Sequence, residues 1–293
     1  MAVPTPLKTD TASSVLKTRP GLVNWLAISP LLLWLLLFVL IPTVLLVVYG
    51  FCGRDGLGRI VYEFQWDNYL RALKPPYPEI FLRSVIFAGL TTLVCLILGY
   101  PVGYFIGRSP EKVRNFLMML VMIPFWTSFL IRTYAWISIL AQEGLLNGLL
   151  LWAKVISEPL QMLYTPGAVV LGLVYNFLPF MILPIYTAAE KLDNALVEAA
   201  YDLGAGPVRA FSQVILPLTQ SGILAGVMLV FIPSLGMFAI SGLMGGGSQQ
   251  MIGDVIEKQF GTANNRPFGA ALGTLVLIAF AIGLWLTSRK QKS

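Results

Sequence analysis

The sequence predicts an all-α membrane protein with six transmembrane helices, and three observations lead there. Hydrophobic residues make up 57% of the 293-residue chain and charged residues only 12%, with a mean hydropathy of +0.77, whereas soluble domains are about one quarter charged. The apolar residues gather into runs of roughly 20, the length at which a helix crosses a bilayer core. The Lys and Arg residues sit at the ends of those runs rather than along one face, so the net charge of +6 fits a lipid bilayer and not a nucleic acid.

Met1 to Pro20 is polar and Ser/Thr-rich, with Lys8, Lys17 and Arg19, and reads as a disordered cytoplasmic tail. Residues 21–293 then form one transmembrane domain. Trp25 to Val48 is the first span. It is too long for a signal-peptide core, lacks a small-x-small cleavage site after it, and is expected to bend at Pro42, which removes a backbone donor. A polar stretch from Gly50 to Pro78 follows. Span two runs from Leu82 to Ile106, with Pro101 near its end, and a short basic loop holds Arg108, Lys112 and Arg114. Span three covers Phe116 to Leu140. Gly144 to Ser157 is apolar but short, and is expected to lie as a helix at the outer interface. Span four covers Ala168 to Ala188, span five Gly222 to Leu243 and span six Phe268 to Thr287. The short basic segments place both termini in the cytoplasm.

Several chemistries are excluded. The chain has no histidine, so the usual catalytic triads and imidazole metal sites are absent. Cys52 and Cys95 lie just beyond and within apolar runs, which argues against a disulfide and against a metal cluster. The spans hold no nucleophile–base pair, and Gly245 to Gly247 lack Walker spacing, so they read as a flexible outer loop. No catalytic residue, metal site or cofactor is expected.

The informative segment joins spans four and five, residues 190–217. Asp193 and Asn194 can cap a first short helix. Gly204 is a natural C-terminal stop, and Gly206-Pro207 restarts a second helix with proline at its first position. Ala199, Ala200 and Gly204 allow close backbone approach, while Leu203, Val208 and Phe211 offer an apolar knob. By composition this is equally an amphipathic interfacial loop. The spacing is more particular: Glu198-Ala199-Ala200, three residues, Gly204, nine residues, Val214, one residue, then Leu216-Pro217.

That spacing resembles the EAA motif of ABC-importer permeases, with Val214 in place of the usual isoleucine. The resemblance implies a type I ABC-importer permease fold whose cytoplasmic coupling helix, through Glu198, Ala199, Ala200, Asp202, Gly204, Leu216 and Pro217, docks on a separate ATPase. The segments Pro124 to Trp136, Gly144-Leu-Leu-Asn147, and Leu243-Met-Gly-Gly-Gly247 leading to Pro267-Phe-Gly-Ala-Ala271 are similar to the first permease subunit of spermidine/putrescine importers. This chain has Gly242 where that pattern has an aspartate. The implied partners are an ATPase dimer, a second homologous permease, an extracytoplasmic substrate-binding protein and the lipid bilayer. The chain contains no GxxxxGK[ST], so ATP hydrolysis belongs to another subunit. The implied function is ATP-driven import of a small cationic solute by alternating access, spermidine or putrescine foremost, with phosphonate, thiamine or iron as alternatives. An ion-coupled secondary transporter is the competing class, but the spans lack the acids such carriers commonly use.

Candidate pathway residues follow from the polar and aromatic groups inside the spans. Arg132 is the one clear intramembrane charge; it faces a cavity or partner, or pairs with Glu143 near the interface. Trp126, Phe129, Thr133 and Trp136 fall on one helical face, as packing, an interfacial belt, or a cation–π lining worth about 0.5–2 kcal/mol per contact. Tyr134 lies on the same segment. Tyr175 and Asn176 sit mid-span beside Pro179 and Pro184, which are expected to kink the helix and free carbonyls. Ser234 and Ser241 either face the pathway or bond back to their own helix.

Overall fold

A computed structural model describes residues 22–56 and 58–290. The predicted tail, Met1 to Pro20, lies outside the described residues. The chain divides into two compact units, Met1–Val48 and Tyr49–Ser293.

The first unit is helical. Helix α1 (Leu22–Leu35) passes through a π turn (Leu36–Leu40) into α2 (Ile41–Gly50). Pro42 has no N–H for the carbonyl one turn back. Its neighbour Ile41 donates five residues back, to Leu36 O, so a widened turn absorbs the missing bond where the sequence predicts a bend.

The second unit opens with a hairpin the sequence reading did not foresee. Strands β1 (Gly53–Arg54) and β2 (Ile60–Val61) pair antiparallel, Gly53 opposite Val61. The short helix α3 (Asp67–Ala72) follows, and then α4 (Tyr77–Arg108), which contains the whole of predicted span two.

Span three is not one helix. Helix α5 (Glu111–Met122) continues into a 3-10 turn (Ile123–Trp126), and α6 starts afresh over Phe129–Leu140. The two arms, Glu111–Trp126 and Phe129–Trp152, meet at 88°. The break sits where Thr127 and Ser128 turn extended (ψ 144° and 137°), three residues after Pro124. Helix α7 (Leu145–Trp152) is the predicted short apolar helix, ending sooner than expected.

Helix α8 (Pro166–Glu190) contains span four and runs unbroken through Pro179 and Pro184. After α9 (Asn194–Asp202) and α10 (Pro207–Ala210), a π turn (Phe211–Ile215) leads directly into α11 (Leu216–Gly236). Span five therefore starts earlier than expected, at Pro207, and ends at Gly236. Met237 is extended (ψ 98°), and the residues assigned to the end of span five form a separate helix, α12 (Phe238–Met244). Helices α13 (Ile252–Phe260) and α14 (Arg266–Lys290) complete the chain. Among the described residues, five helices are long and apolar enough to cross a membrane, or six if the bent pair is one span.

The core is where α4, α8 and α11 pack together, around the fully buried Leu173, Met181, Ile185 and Val230. Small residues let these backbones approach, as in membrane bundles generally. A Cβ at Gly103 would lie 2.9 Å from Ile182 O, and one at Gly222 would lie 2.5 Å from Pro184 O. Both cysteines are buried, and the Cys95 thiol donates to Val174 O at 3.7 Å.

The Pro267 to Ala271 segment starts α14 and serves packing. Phe268, Ala270 and Ala271 are fully buried, with the Tyr77 ring edge-on to Phe268 at 4.9 Å and the Arg71 guanidinium 4.3 Å above it. The Gly144 to Asn147 segment is also structural. Asn147 is completely buried, donates to Ala141 O and Leu160 O, and accepts from Leu160 N.

Candidate functional site: a helical hairpin, a broken span and a buried carboxylate

Helix α9 and the start of α10 form a hairpin at one end of the bundle. Asp193 caps α9, its carboxylate accepting from Ala195 N at 3.0 Å. Gly204 ends it at φ +81°. The Ala205 N–H reaches Ala200 O and the Gly204 N–H reaches Tyr201 O, the paired bonds of a Schellman cap. Beyond the cap, Leu203 is 89% and Val208 79% exposed, so these two residues of the predicted apolar knob project freely, while Phe211 packs against Tyr100. The second arm differs from expectation: it is the first turn of a 30-residue helix, Pro207–Gly236, so the hairpin is continuous with α11.

The base of the hairpin is tied to neighbouring helices. The Arg108 guanidinium at the end of α4 donates to Leu192 O at 2.7 Å, and Arg114 of α5 pairs with Glu190 at 2.9 Å. A Cβ on Gly107 would lie 2.7 Å from the Ala189 Cβ. The Tyr100 and Thr219 hydroxyls bond at 3.0 Å, and the Phe211 ring meets Tyr100 edge-on. Glu198, Ala199, Ala200 and Asp202 lie on the outer arm, and Leu216 and Pro217 at the start of α11.

The broken span rearranges the aromatic candidates. Trp126 precedes the break and is 81% exposed, so it does not share a helical face with Phe129, Thr133 and Trp136. Those three remain on one side of α6, where the Thr133 hydroxyl is buried and donates to Phe129 O. Tyr134 is exposed. Trp136 packs edge-on against Tyr175 at 5.5 Å, and the Arg132 guanidinium lies 5.9 Å from the same ring. Arg132 forms no ion pair with Glu143, and its buried Nε and Nη1 have no hydrogen-bond partner. Arg132, Trp136 and Tyr175 therefore form one cluster, in which a buried cationic donor lacks an acceptor.

Asn176 follows Tyr175 on α8. It is buried, its Nδ2 donates to Gly172 O at 2.8 Å, and its Oδ1 has no partner. Ser234 bonds back to Val230 O at 2.6 Å, which leaves no free donor for a pathway.

Ser241 leads to a residue that a search for acids within the spans passes over. Its hydroxyl donates to Asp254 Oδ2 at 2.7 Å, and Met251 N donates to the same oxygen at 2.7 Å. Asp254 is 5% exposed and stands at the third position of α13, where the helix N-terminus favours an anion. Burial pushes its carboxyl above the usual range, while the Met251 N–H and the Ser241 hydroxyl pull it back. A Cβ on Gly242 would lie 3.2 Å from Asp254 Oδ1. The Asp254 carboxylate thus lies beside position 242 and comes from another helix. The sequence signal was Asp254 three residues after Met251, at the opening of an amphipathic segment.

The predicted flexible outer loop at Gly245–Gly247 has a defined place. Gly246 (φ +59°) lies flat against Tyr164, whose N–H bonds Met244 O.

Comparison with known proteins places the chain. The family described as "Binding-protein-dependent transport system inner membrane component" matches residues 99–288. The spermidine/putrescine transport system permease protein PotB of Escherichia coli K12 is 45% identical over 253 residues, 86% of this chain and 91% of that one. Its counterpart in Haemophilus influenzae is 42% identical over 259 residues, 88% of this chain and 91% of that one. Among solved structures, a bacterial ABC transporter for import of the acidic polysaccharide alginate superposes with a TM-score of 0.71. It shares 16% identity, with 92% of this chain and 96% of that chain covered. The chain belongs to the inner-membrane permeases of ABC importers, transport subunits rather than enzymes, with ATP hydrolysed on a separate ATPase.

Proposed function

We propose that this permease imports linear polyamines, spermidine and putrescine, by alternating access. The observation that carries this reading is the 45% identity with PotB over 86% of the chain.

In this reading the α9–α10 hairpin is the coupling element and faces the cytoplasm, as do both termini. Leu203 and Val208 enter a groove on the ATPase, with Glu198, Ala199, Ala200 and Asp202 along the contact, and Gly204 sets the angle between the arms. Closure of the ATPase dimer pulls on Pro207, and the continuous helix through Leu216 and Pro217 carries the pull to the break at Met237. The other implied components are a second, homologous permease that completes the pore and an external binding protein that delivers the solute.

The solute path runs past α6 and α8. Trp136 and Tyr175 present aromatic faces, which attract an alkylammonium without holding it tightly. Arg132, with two buried donors unpartnered, takes its acceptor from the second permease subunit. Phe129, Tyr134 and Trp126 are peripheral to that cluster. Asn176 contributes a free carbonyl oxygen from the buried side of α8.

The test is uptake of radiolabelled spermidine into vesicles holding the complete importer. Uptake that persists with an uncoupler while ATP is held constant supports the reading. Uptake abolished by the uncoupler at constant ATP would point to an ion-coupled carrier instead.

A further inference from the structure

Asp254 is the one charged side chain among the buried residues described. Its two oxygens have different situations. Oδ2 takes both hydrogen bonds, from the Ser241 hydroxyl and the Met251 N–H. Oδ1 takes none, and no Lys or Arg pairs with it among the described residues. Oδ1 faces Gly242, where the absence of a side chain leaves the approach open.

Holding α12 to α13 does not account for the charge. The cap and the Ser241 bond use one oxygen, and an amide carbonyl would serve both. Lys258, one turn further along α13, attracts the carboxylate without forming an ion pair and Glu257 opposes it, so its desolvation is only partly repaid. The helix N-terminus offsets only part of this. A second charge therefore completes the site, and the free oxygen marks where it sits. Asp254 also stands beside the break at Met237, between the helix that continues the α9–α10 hairpin and the short α12. Movement transmitted along α11 would change access to Oδ1 directly.

We propose that Asp254 Oδ1 receives an ammonium group of the translocated solute, at a site kept open by Gly242 and held by Ser241. This rests on the polyamine reading above and names the acid that reading needs. The ligand class is an alkylammonium: it has N–H donors for Oδ1 and a positive charge for the unpaired carboxylate, and it is slender enough to pass Gly242. The site is a waypoint, so its contribution falls on the transport step.

The test uses vesicles with the complete importer, ATP inside and saturating binding protein. Asp254→Asn keeps an oxygen for Met251 N–H and Ser241 but removes the charge, and places an N–H₂ donor where Oδ1 was. The expected result is a fall in maximal spermidine uptake of roughly tenfold or more, as for loss of a charge-assisted bond. The half-saturating spermidine concentration and the thermal melting of the complex stay the same. Asp254→Asn with Gly242→Asp returns a carboxylate to the same space and restores uptake to within about threefold of wild type on the same bond-energy scale. Gly242→Leu alone fills the approach and lowers uptake with the carboxylate intact. Wild-type uptake in Asp254→Asn would overturn the proposal, leaving Asp254 a structural cap. Loss of uptake in Asp254→Asn that Gly242→Asp does not rescue would overturn it as well. A wild-type importer that carries no polyamine would instead overturn the underlying functional reading.

Discussion

Replacing Gly204 with valine should uncouple ATP hydrolysis from uptake, and the structure sets the size of the effect. Gly204 sits at φ +81° and a Cβ there would meet nothing within 4 Å. The cost of a side chain is therefore one of backbone conformation, with no steric contribution from neighbours. For an L-residue the left-handed region costs roughly 1–2 kcal/mol, and a β-branched residue stands at the upper end. At about 1.4 kcal/mol per tenfold, valine would reduce the population of the observed hairpin relative to alternatives by roughly 10–30-fold. Asparagine tolerates this region best among non-glycine residues and alanine is intermediate. The measure is solute transported per ATP hydrolysed in vesicles with the complete importer. The expected order is Gly, Asn, Ala, Val, with membrane insertion equal throughout. Wild-type coupling in Gly204→Val, or equal damage from Asn and Val, would refute the conformational argument.

Two further outcomes concern the scaffold. Gly107→Ala places a methyl 2.7 Å from the Ala189 Cβ and 3.0 Å from Tyr186 O, so α4 and α8 must part at the hairpin base. Overpacking of about 1–3 kcal/mol should lower the melting temperature of the solubilised protein by roughly 2–4 °C per kcal/mol, and unchanged melting would contradict the packing described. Asn147→Ala leaves the Leu160 N–H without its acceptor, at about 1–3 kcal/mol for a stranded buried donor, while Ala141 O and Leu160 O keep their bonds from Gly144 N and Met162 N. Hydrogen exchange at Leu160 should rise at least tenfold on that scale, and unaltered protection would show that the segment is held by other contacts.

Much of this architecture was legible because membrane insertion constrains sequence so tightly. Spans two and four are long charge-poor runs, and the structure has helices containing both. The hairpin was legible from Asp193, Gly204 and Pro207, each of which acts locally on the backbone. The break in span three was not. Residues on both sides of Thr127 and Ser128 are apolar, so hydropathy continues smoothly while the chain turns by 88°; Pro124 was the only punctuation. The failed alignment of Trp126 with Trp136 follows from that. Span five misled in the same way, because Gly236 and Met237 interrupt the helix without interrupting its hydropathy. Asp254 was missed because it lies outside the long apolar runs, and its setting is made by other helices: Ser241 donates to it, and Ser84 accepts from the nearby Ile252 N at 2.7 Å. The packing role of Phe268 was likewise invisible until Tyr77 and Arg71 were placed above it.

The central claim is that this permease carries polyamines, and competition for uptake tests it most directly. Vesicles with the complete importer would take up labelled spermidine while unlabelled spermidine, putrescine, thiamine, phosphonate or ferric iron is added in excess. The account predicts that spermidine and putrescine abolish uptake of label and that the other solutes leave it unchanged. No ATP-dependent uptake of spermidine, or displacement of the label by one of the other solutes and not by putrescine, would contradict it.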